Sequence, residues 1–213
     1  MTQTVRLHGY YRSSTSYRLR IALNLKGLAF EPINIALDQG EQHSASFRAL
    51  NPIGGVPVLE IDGFTLTQTP AIFAYLDEHH ATPALLPATT TARQMTRQIS
   101  GIIECDMHPL NNLSVLKYLQ RELGSDSDAV GAWYRHWIAR GFSAIEALLE
   151  SIDNDGCHCV GDRPTYADVC LVPQVYNARR FDADMSPYPR LTAIDAALTR
   201  LPAFASAHPD AFS

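Results

Sequence analysis

The hydrophobic pattern of this 213-residue chain changes its character once. Strand-like and helix-like segments alternate up to about residue 80, whereas only helical periodicity is found from Ala92 onward. Such a chain can build a sheet only from its first part, because the second part lacks the alternating and short apolar runs that strands need. The pattern therefore predicts an α/β domain followed by an all-helical domain.

The beginning of the chain predicts a parallel crossover. Val5 and Leu7 alternate with polar residues, and a helical run follows that ends at Lys26 and Gly27, a cation and a glycine typical of a helix C-terminus. Apolar residues return within 30–35 at the spacing of a second strand. A strand, a helix and a strand in this order predict a right-handed βαβ unit.

A hairpin and a further helix complete the first domain. Two strand-like segments meet at Asp62-Gly63, a dipeptide that favours a two-residue hairpin turn. Thr69 is then predicted to cap a helix whose first position holds Pro70. The resulting order, β-α-β then β-β-α, is that of a thioredoxin-like domain.

The domain boundaries are predicted from the same pattern and from local composition. The thioredoxin-like domain is expected to span residues 1–81. A stretch rich in proline and threonine, 82–91, is predicted to be a linker. The all-helical domain is expected to span 92–213.

Composition excludes several classes of function. With 17 Lys and Arg against 22 Asp and Glu, the formal net charge of −5 offers no basic footprint for nucleic acid or an anionic membrane surface. No apolar run approaches the length of a transmembrane helix, and the N-terminus becomes polar too early for a signal peptide. The four cysteines show no disulfide framework, and the Cys-His-Cys run at 157–159 lacks a second ligand pair. We therefore expect a soluble, cytoplasmic protein without a metal site.

Pro57 interrupts a segment that otherwise has the pattern of a strand. A proline inside a strand removes a ladder donor and is normally confined to an edge or to the first position. A cis bond between Val56 and Pro57 would turn the N–H and C=O of Val56 outward, where a peptide-like ligand could pair with them as an added strand. The alternative is an ordinary turn proline after Gly54 and Gly55.

Two predicted helix N-termini in the first domain carry polar side chains. Ser13 or Ser14 would cap the first helix, but a hydroxyl there could instead donate to a bound thiolate, which the positive end of the helix stabilises. Gln68, just before Thr69, offers an amide suited to a carboxylate. Two helix ends and a strand edge with free backbone groups suit a small, anionic, peptide-like molecule such as glutathione.

Four stretches of the chain carry a family resemblance. They read RSSTSYRLRIALNLKG, ALNPIGGVPVLEIDG, CDMHPLNNLSVLKYL and GDRPTYADVCLVPQVYNARRFDADMSPYPR. Together they resemble the zeta-class glutathione transferases, which include the maleylacetoacetate and maleylpyruvate isomerases. The resemblance implies the two-domain glutathione transferase fold, glutathione as cofactor and a homodimer.

The resemblance also implies roles for individual residues. The Ser14 hydroxyl would face the glutathione sulfur, Val56 would pair with the cysteinyl backbone, and Gln68 and Thr69 would hold the γ-glutamyl carboxylate. The other positions implied in glutathione binding are Ser13, Thr15, Gln42, Pro57, His108, Asn112 and Ser114. Many members of the family have a cysteine where this chain has Thr15, but the expected nucleophile is the sulfur of glutathione itself.

The implied reaction is glutathione-dependent isomerisation of a maleyl diketo acid, a small dicarboxylate. Thiolate addition makes the cis double bond single, rotation follows, and expulsion of the thiolate leaves the trans isomer. Arg12 and Arg180 are our candidates for holding the substrate carboxylates, since a guanidinium binds a carboxylate at two points. Arg179 ranks lower because it points elsewhere on a helix. Asp168, in the pattern Thr-x-x-Asp, is assigned to a capping box and so to folding.

Other functions remain open at this point. A thiol-disulfide or dehydroascorbate-type reductase of the same fold would need a cysteine at the start of the first helix. This chain has Ser14 and Thr15 there, which argues against such a reductase. A non-catalytic glutathione or ligand carrier would leave the arginines without a role, and a general glutathione transferase is a further alternative. The run NNLSVL favours maleylacetoacetate as the substrate. Maleylpyruvate remains an alternative.

Overall fold

The computed structural model describes residues 4–152 and 154–213. By their internal contacts they form two compact units. The first unit extends to Ala84 and also includes Leu201–Ser213, and the second comprises Leu85–Arg200. The division after Ala84 lies within the stretch predicted to be a linker. The tail from Leu201, by contrast, groups with the first unit, whereas the sequence pattern had assigned it to the helical domain.

The first unit contains a four-stranded mixed sheet. Its strands are β1 (Val5–Gly9), β2 (Phe30–Asn34), β3 (Val58–Ile61) and β4 (Phe64–Thr67). They lie in the order β2-β1-β3-β4, with β1 parallel to β2 and antiparallel to β3. The predicted parallel crossover is confirmed, and so is the hairpin, since β3 and β4 pair antiparallel around Asp62 and Gly63, both at positive φ.

Among the described residues of the first unit, three α-helices and one 3-10 helix, Glu41–His43, precede the boundary at Ala84. The α-helices are α1 (Ser14–Leu25), α2 (Ala45–Leu50) and α3 (Thr69–His79). The apolar side chains of α1, such as Leu19 and Ile21, are fully buried and form part of the core. The predicted α/β domain is therefore confirmed, with α1 as the crossover between the two parallel strands.

Lys26 follows the last residue of α1, and its side chain makes contacts that its sequence position did not predict. Its side chain is fully buried, and its ammonium lies 2.6 Å from the carboxylate of Asp77. The same nitrogen donates to the carbonyl oxygens of His80 and Pro83, both at 2.8 Å. A buried ammonium needs this full set of acceptors to offset its lost hydration. Lys26 therefore joins the C-terminal ends of α1 and α3, in addition to any interaction with the helix dipole.

The described part of the second unit consists of helices and connecting loops, with one isolated β-bridge between Asn154 and Gly161. Its helices are α4 (Thr90–Gly101), α5 (Leu113–Arg121), α6 (Ser127–Ser151), α7 (Tyr166–Arg180) and α8 (Pro189–Leu198). Helix α7 is almost entirely buried and forms the centre of this unit. None of the helices within the described residues has the length and apolar character needed to cross a bilayer.

A π-helical segment, Ile102–Met107, continues α4 and leads into His108. Such segments are rare and occur often at functional sites. Met107 is fully buried against Gly141 of α6, where a Cβ atom would lie 2.1 Å from the Met107 sulfur. The glycine therefore allows α6 to approach the segment that positions His108.

Asp168 is confirmed as part of a capping box at the start of α7. One carboxylate oxygen accepts from the backbone N–H and hydroxyl of Thr165, at 2.7 and 2.8 Å. The other accepts from the backbone N–H of Cys159 at 2.7 Å, a contact that the sequence pattern did not indicate. Burial raises the pKa of this carboxyl group, although all of these hydrogen bonds act in the opposite direction. Asp168 thus fixes both the helix start and the preceding loop.

The C-terminal tail packs on α1 within the first unit. It contains the short helix α9 (Pro202–Ala205). Arg20 donates through Nε to the carbonyl of Ala207 at 2.9 Å, and Asn24 donates to the carbonyl of Ala203 at 3.0 Å. Arg20 is buried, so its guanidinium needs the Ala207 acceptor. These contacts explain why the tail groups with the α/β unit.

Candidate functional site

The N-terminus of α1 is capped by Ser13. This residue has an extended backbone, and its hydroxyl oxygen accepts from the backbone N–H of Ser16 at 3.3 Å. Ser14 is the first helical residue and is only 4% exposed, whereas Ser13 is half-buried. The first turn contains no acidic side chain, so no carboxylate of the helix itself offsets the positive end of its dipole.

A chain of hydroxyl groups connects this helix start to Val56. The hydroxyl of Thr15 donates to the carbonyl oxygen of Val56 at 2.9 Å, and it lies 2.8 Å from the hydroxyl of Ser13. Threonine has one hydroxyl proton, so the Ser13 hydroxyl must be the donor in the second contact. Local sequence patterns could not indicate this connection, because Val56 lies 41 positions beyond Thr15.

The peptide bond between Val56 and Pro57 is cis, which is the first of the two alternatives that the sequence left open for Pro57. Strand β3 begins only at Val58, so Val56 lies outside the sheet ladder. Its N–H forms no hydrogen bond to any described residue, and its carbonyl bonds only to Thr15. A carbonyl oxygen has two lone pairs, so one remains for a further donor. Val56 thus offers a donor and an acceptor side by side, the pair that an added peptide needs.

The start of α3 differs by one residue from the prediction. Gln68, and not Thr69, occupies the N-cap position, and Thr69 is the first helical residue. The backbone of Gln68 has a φ of 66°, which is uncommon for a residue other than glycine. This conformation turns the chain from β4, which ends at Thr67, directly into the helix. The side-chain amide of Gln68 is exposed beside a helix N-terminus and forms no cap hydrogen bond.

Gln42 lies in a short 3-10 turn, Glu41–His43, that packs against the loop before Val56. The contact is close because Gly54, at a φ of +69°, would place a Cβ atom 2.9 Å from the carbonyl oxygen of Gln42. Gln42 is 6% exposed, and its Oε1 atom is buried without a hydrogen bond to any described residue. Its Nε2 atom lies 3.1 Å from Nε2 of His43. A polar group of a bound ligand could donate a hydrogen bond to this unused buried acceptor.

The remaining polar candidates from the sequence lie in the second unit. His108 follows the π-helical segment and is half-buried. Asn112 caps α5, and its side-chain oxygen accepts from both the backbone N–H and the hydroxyl of Ser114, at 3.0 and 2.8 Å. These contacts give Asn112 and Ser114 a structural role. They leave the Asn112 amide nitrogen as the group that could still donate.

Arg179 and Arg180, adjacent at the end of α7, have different surroundings. Arg179 forms an ion pair of 2.7 Å with Asp195, a carboxylate whose pKa is raised by burial and lowered by this arginine, with burial dominant. The guanidinium of Arg180 is exposed, lies 5.7 Å from the ring centre of Phe181, and donates to Asn177 at 3.3 Å. Arg180 is thus better placed to meet a ligand than Arg179.

Arg12 stands beside the α1 N-terminus in the first unit. It is exposed, and its Nε atom donates to the Tyr11 hydroxyl at 2.5 Å. Its guanidinium carbon lies 4.8 Å from the Tyr11 ring centre. The aromatic ring therefore limits the orientations of Arg12 without burying its charge.

The Cys-His-Cys run at 157–159 has local structural contacts. His158 pairs with Asp155 at 2.9 Å, and the same carboxylate accepts backbone N–H groups of Cys157 and His158. Burial raises the pKa of the Cys159 thiol well above its usual value, so this thiol is not an active nucleophile. Within the described ranges, no cluster of three or more His, Cys, Asp or Glu side chains could hold a metal ion.

Family models match both halves of the chain. Residues 3–78 match the glutathione S-transferase N-terminal domain, and residues 128–200 match the glutathione S-transferase C-terminal domain. A maleylpyruvate isomerase from Ralstonia sp is 47% identical over 207 residues, which cover 97% of this chain and 98% of that protein. A probable maleylacetoacetate isomerase from Vibrio cholerae is 48% identical over 207 residues, covering 96% and 95%.

Solved structures show the same similarity. A holo maleyl pyruvate isomerase, described as a bacterial glutathione-S-transferase in the zeta class, has a TM-score of 0.95 and 47% identity over 97% of both chains. A maleylacetoacetate isomerase from Methylobacterium extorquens AM1, with bound malonate and GSH, has a TM-score of 0.92 and 36% identity over 96% of both chains. The architecture described above is therefore shared with proteins of these two names.

Proposed function

Because this chain belongs to the glutathione S-transferase family, in its zeta class, we propose that it catalyses the glutathione-dependent cis-trans isomerisation of a maleyl diketo acid. The favoured reaction converts maleylacetoacetate to fumarylacetoacetate. The observation that carries this proposal is the hydroxyl chain from the α1 N-terminus to Val56. It brings a helix end that stabilises an anion beside a backbone edge that a peptide can pair with.

Glutathione suits three features of the first unit. The cysteinyl backbone pairs with the N–H and the unused carbonyl lone pair of Val56. The γ-glutamyl carboxylate binds at the N-terminus of α3, beside Thr69 and the exposed amide of Gln68. The buried amide of Gln42 supplies a further polar contact to the tripeptide.

The glutathione thiolate is proposed to lie at the N-terminus of α1. Free backbone N–H groups and the helix dipole lower a thiol pKa from its ordinary value of about 8.5. Ser13 is the donor that we propose, since it is less buried than Ser14 and its hydroxyl is joined to Val56 through that of Thr15. Its proton can turn from Thr15 to the sulfur while its oxygen still accepts from Ser16. The resemblance had assigned this role to Ser14, so the two serines must be compared directly.

The reaction needs no net change in oxidation state. The thiolate adds to one carbon of the cis double bond, a carbon–sulfur bond forms, and the π electron pair moves to the conjugated carbonyl oxygen as an enolate. Rotation about the new single bond follows. The electron pair then returns, the carbon–sulfur bond breaks, and the same thiolate leaves the trans product.

The substrate carboxylates are proposed to bind Arg12 and Arg180. Both guanidinium groups are exposed and carry an aromatic neighbour that restricts their motion. A planar guanidinium binds a carboxylate at two points and so fixes its orientation. His108 and Asn112 are proposed as further contacts to glutathione.

Maleylpyruvate is the second candidate substrate. It has the same cis double bond and two carboxylates, and relatives named for either substrate match this chain at nearly equal identity, 47% and 48%. The experiment that decides is an assay of both diketo acids with glutathione supplied, withheld, or replaced by another thiol. Turnover that continues with no thiol present would contradict the proposed mechanism.

Glutathione should raise the melting temperature of the protein. A ligand that binds only the folded state stabilises it by RT ln(1 + [L]/Kd), about 2.7 kcal/mol at a hundredfold excess over Kd. Thermal unfolding followed by circular dichroism would measure the shift. Cysteinylglycine, which lacks the γ-glutamyl group proposed to bind Gln68, is the matched control and should shift the melting temperature less. Equal shifts from both compounds would contradict the placement of the carboxylate at α3.

The oligomeric state and compartment are proposed from family membership alone. We infer that the protein is a cytoplasmic homodimer. Sedimentation at micromolar concentration should give twice the mass of the 23.5 kDa chain. A mass equal to that of the chain would contradict the dimer.

A further inference from the structure

We propose that Thr15 is a positioning residue, whose hydroxyl holds the carbonyl of Val56 in the orientation that glutathione needs. The inference rests on the proposed function, because it takes Val56 to be the group that pairs with the cysteinyl backbone. It assigns Thr15 an effect on glutathione affinity through Val56, without a contact between Thr15 and the sulfur.

The peptide group between Val56 and Pro57 is held by very little else, whereas the preceding peptide group, which carries the Val56 N–H, is fixed through the Gly55 carbonyl by the side-chain amide of Asn51 at 2.7 Å. The group between Val56 and Pro57 lies before the first ladder position of β3, so no neighbouring strand fixes it. Within the described ranges its only hydrogen bond is the one from Thr15, at 2.9 Å. Thr15 is 9% exposed and belongs to the first turn of α1. A rigid helix end thus fixes the orientation of an otherwise unpaired backbone group.

The directions of the hydrogen bonds determine which lone pair of the Val56 carbonyl remains available to a ligand. Thr15 gives its single proton to Val56 and accepts the proton of Ser13, so both of its roles are used. Donation to one lone pair of the Val56 carbonyl leaves the second lone pair in a fixed position for a ligand N–H.

Three variants separate this role from a purely structural one. Thr15→Val keeps the shape and removes the hydroxyl, whereas Thr15→Ser keeps the hydroxyl and removes the methyl group. Thr96→Val is the matched control, because Thr96 is also buried and donates to a backbone carbonyl, that of Ala92, at 2.9 Å, but within α4. Glutathione affinity is measured by isothermal titration, and kcat is measured at saturating glutathione.

We expect Thr15→Val to raise the glutathione Kd about threefold to tenfold, the effect of one lost hydrogen bond. Thr15→Ser should restore most of the affinity, and Thr96→Val should leave it unchanged. The kcat of Thr15→Val at saturating glutathione should stay within about twofold of the unaltered protein, because Thr15 acts on binding and not on the reacting bond. The carbonyl carbon NMR resonance of Val56 should shift in Thr15→Val and return in Thr15→Ser.

Two results would overturn the inference. One is an unchanged Kd in Thr15→Val. The other is a loss of kcat at saturating glutathione with Kd unchanged, which would mean that Thr15 acts at the sulfur. If Thr15→Val does not fold, Thr15→Ala gives the same comparison against Thr15→Ser. Failure of the unaltered protein to bind glutathione would instead contradict the proposed function, so the two failures are distinguishable.

Discussion

Ser13→Ala should lower kcat/KM of the isomerisation about 10²- to 10³-fold, the range measured when one preorganised donor to a developing or bound charge is removed. The variant should still fold, since losing an N-cap side chain costs only about 1 kcal/mol of stability. The expectation follows from the position of Ser13, which caps α1 and lies one hydroxyl away from Val56. Steady-state kinetics at saturating glutathione measure the loss.

Ser14→Ala is the matched variant, one residue away in the same helix turn. It should lose much less activity, because Ser14 is 4% exposed, whereas the hydroxyls of Ser13 and Thr15 form the chain to Val56. The ultraviolet absorbance of bound thiolate as a function of pH gives a second measurement. The pKa of bound glutathione should lie below about 8.5 in the unaltered protein and rise in Ser13→Ala. A large loss in Ser14→Ala with a small one in Ser13→Ala would return the role to Ser14.

Arg180→Ala and Arg12→Ala should each lower kcat/KM for the maleyl acid by an amount equivalent to about 1.5 to 3 kcal/mol, the range for hydrogen bonds to charged groups. Glutathione affinity should change little in both, because the tripeptide is held by other residues. Arg180→Lys should recover only part of the activity, since an ammonium cannot reproduce a planar two-point contact. Kinetics and isothermal titration on the same variants make the comparison.

Arg179→Ala controls for the loss of a positive charge at the same helix end. Because Arg179 is paired with the buried Asp195, its removal should lower stability while leaving turnover nearly intact. Unchanged kinetics in both Arg12→Ala and Arg180→Ala would leave a glutathione carrier as the better interpretation. Weakened glutathione binding in either variant would mean that the arginine contacts the tripeptide and not the substrate.

Periodicity and turn chemistry predicted most of the fold. The alternation at Val5 and Leu7 and the dipeptide Asp62-Gly63 report local preferences, and both elements form as expected. Helix α3 begins one residue earlier than predicted, because Gln68 adopts a positive φ in the turn from β4 into α3. Propensity alone disfavours such a conformation for glutamine.

The individual residues of the candidate site were indicated by the resemblance, but not their connections. Thr15 and Val56 are neighbours only because α1 and the loop before β3 meet in the folded unit. Lys26 has the sequence position of an ordinary helix-ending cation, yet it is buried in a site made by the end of α3. In both cases the partner lies far along the chain, and local pattern carries no information about it.

The attachment of the C-terminal tail to α1 has a consequence for how the protein is made. A chain leaves the ribosome N-terminus first, and domains generally fold as they emerge. Here Arg20 obtains its acceptor at Ala207 only after the whole helical unit, Leu85–Arg200, has been synthesised. The α/β unit is therefore completed only after the helical unit has been translated, although its sheet is translated first, and a fragment ending at Ala84 should be less stable than the same unit with its tail from Leu201.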